Sequence, residues 1–532
     1  MNVETGPGLA ASPTAPPWYE RRWHWAAAGI VLVTVVIGLS LVSSVWLASP
    51  DSVKYADTAR ALARGEGYLF NGGREGKHPP GFPALLALLF RTTSDPFLLA
   101  RIMLVLTAGA ALYLAATILR RVLGAGVSLI ALVCVAASVQ LWWSTQFILS
   151  EYPYAVFQNL ALILLIRLAA SESPRRRDAP LFGLATGAAM LIRPIGVTLI
   201  AACAYVILRK RLTGRLTTAR AAALSASAVG IPVLAFGAWR TYAAVYVGAA
   251  VPENVNILMR GYATAGGASA GSVIVQTAKN MLSQAGGLIF GEIIPPQYPS
   301  VEPSLWAALL LIWLPVPVAL VVRGLGRAEP LWAFLCVYLS TVALWPLASD
   351  ASARLCWPVA PFIAGLLLWS YRWLAGRVWH RKGPVIVSTV IVVGVVTGQA
   401  TLGGRLWEEM RAGEAFCVTR LADLARIRDG FHPAPPDVWA NLNVRETVFV
   451  FDMPTTVMEL TWNKLPERWV WELDEYRPDY IVVPNDRGNT RRFLETLSRV
   501  RPTAVRVVEL ETVSVYHVPR AASPHRSNAP DS

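Results

Sequence analysis

Charge is what this chain of 532 residues has least of. Asp, Glu, Lys and Arg make up only 15% of it and apolar residues 54%, where an ordinary globular protein has about 25% and about 45–50%. With a mean hydropathy of +0.45, that deficit excludes a disordered chain and a soluble multidomain enzyme, because neither could hide so much apolar surface. Cysteine is scarce too. Cys134, Cys203, Cys336 and Cys356 lie in or beside apolar runs, where a thiol packs as a small hydrophobe. With Cys417 they show no spacing for a metal site or a disulfide framework. Lysine numbers 6 against 42 arginines, a bias that fits a GC-rich bacterial genome and a bacterial plasma membrane. No internal repeat stands out, which argues against a transporter built from duplicated halves.

What is present is a series of apolar runs ending near residue 402. A bilayer core needs about 20 apolar residues per helix, and eleven spans are expected, at 24–48, 97–119, 126–148, 152–169, 180–192, 195–208, 219–243, 304–322, 330–348, 355–374 and 384–402. The pair 180–192 and 195–208 is short enough to be a re-entrant hairpin broken at Arg193-Pro194. The net charge of +14 follows the same division, with 31 basic and 15 acidic residues up to position 402 and 17 and 19 after it. The surplus therefore belongs to membrane loops, and no nucleic-acid partner is implied. Its clusters, Arg21/Arg22, Arg120/Arg121, Arg175–Arg177, Arg209–Arg211, Arg323/Arg327 and Arg377/Arg381/Lys382, fall in every second connection. By the positive-inside bias the N-terminal segment 1–23 is cytoplasmic, and loops 49–96 and 244–303 lie on the far side together with everything after 403. Residues 24–48 are too long for the apolar core of a cleaved signal peptide.

After 403 the pattern changes. Thr447–Phe451, Tyr480–Val483 and Val513–Tyr516 read as strands, with helical stretches around 413–428 and 490–500, so a small extracytoplasmic α/β domain is expected over 403–520. Residues 521–532 read as a disordered tail.

Positive-inside bias accounts for cations on one side only, which makes ionisable residues at the opposite helix ends informative. Asp51 follows the first span, and Tyr55 and Ala59 share its face on a helix that can lie along the membrane surface. Asp51 can equally be a helix N-cap, given its Pro-Asp-Ser context. Lys77-His78-Pro79-Pro80-Gly81 forbids a continuous helix and holds Lys77 on a stiff turn, either as a point charge for phosphate or as a snorkelling interface residue. Glu151 opens a span, Arg193 breaks the 180–208 pair, and Asp350 and Arg354 flank another outer end, as a local salt bridge or as site residues.

In this order these strings resemble the GT-C superfamily of polytopic glycosyltransferases, in particular the branch of dolichyl-phosphate-mannose protein mannosyltransferases and lipid A aminoarabinose transferases. The resemblance is carried by Asp51 with Tyr55 and Ala59–Gly67, by His78–Leu86, Leu149-Ser150-Glu151 and Ile192-Arg193-Pro194, and by Ala353–Phe362. It implies an α-helical GT-C membrane fold of about eleven helices. It also implies sugar transfer from a polyprenyl-phosphate carrier to a glycan, lipid or protein acceptor on the extracytoplasmic face, with inversion. Asp51 then matches the general base, with Glu151 beside it in the catalytic set. Lys77, His78, Arg193 and Arg354 are expected at the donor phosphate, and Tyr55 and Asp57 at the substrate. Several relatives carry a second acidic residue after the first, where this chain has Ser52. That weakens a two-carboxylate metal site in the loop and leaves Mg²⁺ or Mn²⁺ between Asp51 and Glu151 as the metal-dependent alternative. A transporter or flippase of lipid-linked sugars is the main rival, and a receptor or assembly protein with a membrane anchor is a lesser one.

Overall fold

In a computed structural model of the protein, the residues described are 21–43, 47, 49–93, 95–171, 175, 177–247, 329–343, 354–379, 382–431, 439–442, 456–458, 478–485 and 488–519. The membrane part contains α1 (Trp23–Ser40), α2 (Pro50–Arg64), a hairpin of β1 (Leu69–Phe70) and β2 (Gly73–Arg74), α3 (Gly81–Thr92), α4 (Pro96–Leu123), α5 (Ala125–Ala136) and α6 (Val139–Ser144). It continues with α7 (Glu151–Ala170), α8 (Asp178–Ile192), α9 (Val197–Leu212), α10 (Thr218–Ala228), α11 (Gly230–Val247), α12 (Glu329–Ala343) and α13 (Ala360–Val378). Helix α14 (Gly383–Phe431) then leads into the C-terminal region.

Among the described residues, five stretches are long and apolar enough to cross a bilayer: α1, α4, α7, Thr218–Val247 and Gly383–Gly404. Shorter apolar helices occupy Gly81–Thr92, Ala125–Ala136, Asp178–Ile192 and Glu329–Val342. Leu32 and Val36 on α1, Leu234 and Val245 on α11, and Val385 and Val390 on α14 are all exposed. Apolar area of that extent is costly in water and matched by acyl chains. The protein is thus a multi-pass membrane protein.

The spans differ from the sequence expectation in several places. The first helix stops at Ser40, and Leu47 instead forms an isolated parallel bridge with Phe147. The expected span 126–148 is divided into α5 and α6. The backbone groups freed at that break are taken up by side chains: Trp142 Nε1 donates to Ala136 O at 2.7 Å, and Val139 N donates to Gln399 Oε1 at 2.9 Å. The 180–208 pair forms two helices of 15 and 16 residues joined by a 3₁₀ turn at Pro194–Gly196. Span 384–402 and the stretch 413–428 are one continuous helix, α14. Span 304–322 lies outside the described residues, as do most of loop 244–303 and the tail 521–532.

After α14 come β3 (Trp439–Leu442), β4 (Thr456–Met458), β5 (Tyr480–Pro484), α15 (Gly488–Val500), β6 (Val505–Glu509) and β7 (Val513–His517). They form one mixed sheet of order β4-β3-β5-β7-β6. Alternation along β5 sends Ile481 and Val483 to a core with Phe493 and Leu497 of α15, and Val482 to a second core with Leu424 and Ile427 of α14. The end of the long helix is therefore one of the two layers on the sheet. Asp423 fixes it there, accepting from Thr512 N and Oγ1 at 2.8 Å each.

Candidate active site

The segment after the first span is held in place by local rules. Ser49 and Ser52 form a capping box, with Ser52 N donating to Ser49 Oγ at 3.2 Å and Ser49 N to Ser52 Oγ at 2.6 Å, and Pro50 sits in the first turn. Asp51 is therefore not the N-cap, and its carboxylate is available to the interior. Helix α2 does not simply rest on a surface: Ser52, Val53, Tyr55, Ala56, Asp57, Thr58 and Ala59 are all buried. Asn71 and Gly72 have φ of 53° and 72°, the two positive values that a two-residue type I′ hairpin needs between β1 and β2. Asn71 N donates to Asp57 Oδ2 at 2.8 Å, while Arg60 engages Asp57 Oδ1. Asp57 thus ties the hairpin to α2 with both oxygens occupied.

The next turn places Lys77 and His78. Tyr68 donates its hydroxyl to His78 O at 2.7 Å, and the His78 ring meets Tyr55 edge-on with centroids 5.4 Å apart. Tyr55 also meets the Phe82 ring at 4.9 Å. Pro79 and Pro80 then turn the chain into α3. A Cβ on Gly81 would come within 2.7 Å of Leu191 O, so only glycine lets this turn approach the end of α8 so closely. That end carries Arg193.

Four charged side chains, far apart in sequence, meet there. Arg193 Nη1 lies 2.8 Å from Glu151 Oε1, and Arg354 reaches the same oxygen through Nε and Nη2, each at 2.8 Å. Arg354 Nη1 also donates to Asp51 Oδ2 at 2.9 Å. Glu151 is 0% exposed, whereas the Asp51 side chain keeps 34%. The buried acid is the anchor of the cluster and the half-buried one faces outward. Ser150 joins the ring through Tyr55 Oη at 3.3 Å and Arg193 Nη1 at 3.2 Å.

Helix α7 positions this cluster and keeps it rigid. Its Tyr152 ring stacks on Trp357 with an interplanar angle of 4°, and Gln158 Nε2 donates to Pro358 O at 3.1 Å, which fixes the segment bearing Arg354. Asn159 Nδ2 donates to Ala111 O of α4 at 2.9 Å, and Tyr338 Oη to Leu355 O at 2.8 Å. Arg354 thus pairs across the fold with Asp51 and Glu151. Asp350, its candidate local partner, lies outside the described residues.

Burial alone would raise the Asp51 carboxyl, but Arg354 and then His78 outweigh it and hold the group at about 2. Burial also pushes the Tyr55 hydroxyl up, to about 12, with Asp51 adding to the effect. Tyr55 is therefore a neutral hydrogen-bonding group at neutral pH.

The eight residues assigned a role by the resemblance are all described, and they fall into three environments. Asp51, Glu151, Arg193 and Arg354 form one bonded network. Tyr55 and His78 adjoin it through Ser150 and through each other, with half-buried Lys77 next to His78 in the chain. Asp57 is committed to the hairpin. Sequence reading assigned no role to Ser150 or to Glu75, which lies beneath the Lys77-His78 turn. An acidic residue two and three positions before backbone N–H groups in a proline-terminated turn was the available signal.

The network also bears on a divalent cation. Mg²⁺ and Mn²⁺ take several oxygen ligands, but Asp51 Oδ2 and Glu151 Oε1 already accept from guanidinium groups. Glu151 Oε2 is buried and has no partner among the described residues, and the bond of Asp51 to Arg354 uses Oδ2 alone. No group of three or more His, Cys, Asp or Glu that could hold a metal occurs among the described residues.

Residues 77–239 match the family described as dolichyl-phosphate-mannose-protein mannosyltransferase. No curated protein sequence matches the chain. Among solved structures, it is similar to ArnT from Cupriavidus metallidurans bound to undecaprenyl phosphate, with a TM-score of 0.54 and 14% identity over 93% of this chain and 97% of that one. It is similar as well to the archaeal oligosaccharyltransferase AglB from Archaeoglobus fulgidus in complex with an inhibitory peptide and a dolichol-phosphate, with a TM-score of 0.56 and 13% identity over 88% and 70%. At these identities the likeness is one of fold. Beside it stands the family match, which takes in the turn, α7 and Arg193 and covers less than half of the chain.

Proposed function

We propose that the protein transfers a sugar from a polyprenyl-phosphate carrier to an acceptor hydroxyl on the extracytoplasmic face of the plasma membrane, with inversion at the anomeric carbon. The observation that carries this reading is the Asp51–Arg354–Glu151–Arg193 network at one end of the helices. A prenyl chain dissolves in the bilayer, so its phosphate stands at headgroup depth. Helix α7 starts at Glu151 and carries Arg167 in its last turn, α4 ends with Arg120 and Arg121, and α9 runs from the Arg193 turn to Arg209–Arg211. On α7 and α9 the network and the orienting cations therefore occupy opposite ends, which supports an extracytoplasmic site.

In the reaction the acceptor oxygen attacks the anomeric carbon and the bond from that carbon to the phosphate oxygen breaks. Polyprenyl phosphate leaves with the electron pair. Asp51, half-exposed and within the network, takes the acceptor proton, a contribution of about 10²–10⁴-fold. Arg354, Lys77 and His78 meet the charge that develops on the leaving phosphate. Glu151 fixes both guanidiniums, and Tyr55 lines the approach to Asp51. Asp57 serves this site by holding the β1–β2 hairpin. No step requires a metal ion.

Complementation of a deletion strain tests the reading. Mass spectrometry of envelope glycans and lipids should show a missing sugar, restored by the wild-type gene and not by Asp51→Asn at equal membrane abundance. Full restoration by Asp51→Asn would remove Asp51 as the base.

A further inference from the structure

Glu75 has no part in the mechanism above, yet it is one of the few buried acidic residues, at 8% exposure. In sequence it stands in the loop between Arg74 and Gly76 with no role assigned to it. In the structure its Oε1 accepts from Lys77 N at 2.6 Å and from His78 N at 3.0 Å, and lies 3.5 Å from His78 Nδ1. Its own N donates to Tyr68 O at 3.0 Å, and Tyr68 returns its hydroxyl to His78 O. The strand of the hairpin, the acid and the turn are thus closed into one ring. Burial would raise the Glu75 carboxyl, but hydrogen bonds and charge from His78, with the backbone of Lys77, hold it at about 2. Glu75 is therefore ionised at any physiological pH.

Two consecutive N–H groups converging on one carboxylate oxygen leave the turn little freedom. That matters here because a lysine ammonium ends a flexible four-carbon stem, so its position depends on how firmly the backbone beneath it is held. Pro79 and Pro80 stiffen the turn from one side, and Glu75 does so from the other.

We propose that Glu75 is a positioning residue for the donor phosphate: its carboxylate fixes the backbone of the Lys77-His78 turn and so sets where the Lys77 ammonium and the His78 ring stand in the site. The proposal rests on the reading that this turn meets the donor phosphate.

The test uses the full-length protein in detergent and two probes, undecaprenyl phosphate and undecaprenol, which differ only in the phosphate. Wild-type protein should prefer the phosphate, and Lys77→Ala should reduce that preference roughly tenfold. Glu75→Ala should reduce it by a similar factor while leaving undecaprenol binding unchanged, a selectivity that general loss of structure would not produce. The double variant should be weaker than Lys77→Ala by less than the factor of Glu75→Ala alone, since the Lys77 part of that effect is already lost. Glu75→Gln, which keeps the accepting oxygen, should retain most of the preference. If Glu75→Ala does not fold, Glu75→Asp, whose carboxylate falls short of the two N–H groups, takes its place with the same expectation. Wild-type preference in Glu75→Ala or Glu75→Asp, or a double variant that shows the full product of the two factors, overturns the proposal. If Lys77→Ala and His78→Ala both keep the wild-type preference, the underlying reading of the turn fails instead.

Discussion

Glu151→Gln separates the anchoring role of the network from its chemistry. The substitution preserves shape and removes one negative charge from a side chain with no exposure. Two guanidiniums that now share Oε1 at 2.8 Å would be left with Asp51 as their sole countercharge within the network. Removing one partner of a buried ion pair costs about 3–5 kcal/mol. The lower end applies here, because the Gln oxygen still accepts a hydrogen bond and Asp51 still holds Arg354. The expected loss is therefore about 3 kcal/mol, with transfer abolished as well. Asp51→Asn differs: its carboxylate is half-exposed and makes one bond to Arg354, so stability should change by about 1 kcal/mol or less while transfer falls about 10²–10⁴-fold. Thermal unfolding of purified protein, followed by tryptophan fluorescence, gives the first quantity and sugar transfer in membranes the second. Adding Arg354→Gln to Glu151→Gln restores charge balance, and the pair should be less destabilised than the sum of the singles by about 0.5–3 kcal/mol. Wild-type melting of Glu151→Gln, or strict additivity in the double variant, would refute the anchoring role.

Other outcomes follow from the same geometry. With a polyprenyl-phosphate sugar as donor, Lys77→Ala should raise the donor KM far more than the acceptor KM, and equal effects would contradict a phosphate role. The pH profile depends on Asp51, which works only when ionised, so activity is present above its pKa and lost as pH falls through it. In the free protein that point is about 2, so kcat/KM should show no acid limb from Asp51 near neutrality. Once a donor phosphate competes for Arg354 and adds negative charge nearby, the carboxyl rises, and the acid limb of kcat should lie above that of kcat/KM; coincident limbs would argue against donor-linked release of Asp51. A chelator should leave transfer unchanged, and loss restored by Mg²⁺ or Mn²⁺ would revive a metal site. Asp57→Ala should lower stability and accelerate proteolysis at the hairpin before it affects the acceptor KM, and a selective acceptor defect would return Asp57 to the substrate.

How far the sequence reaches varies from residue to residue. The apolar runs marked α4, α7 and the first part of α14 to within a few residues, because a helix crossing a bilayer must be apolar around its whole circumference and that leaves an uninterrupted signal. The break between α5 and α6 was hidden, since Trp142 and Gln399 satisfy the broken backbone from other turns of the fold. In the C-terminal region the runs at Tyr480 and Val513 gave strands β5 and β7. Their place beside β3 and against the end of α14 depends on contacts between distant segments and left no local mark.

For the site, the sequence by itself determined which residues stand out: charge at the ends of apolar helices opposite the orienting arginines is costly there, and Asp51, Glu151, Arg193 and Arg354 were visible for that reason. Only the tertiary structure decided how they divide the work. Glu151 and Asp51 look alike in sequence, yet one is enclosed by two guanidiniums and the other is half-open with a single bond. Asp57, which the resemblance put at the substrate, is bonded to the hairpin, while Glu75, to which the sequence reading gave no role, lies under the Lys77-His78 turn. The difference arises because a carboxylate's role depends on which donors reach it through space, and those donors come from positions up to 303 residues away.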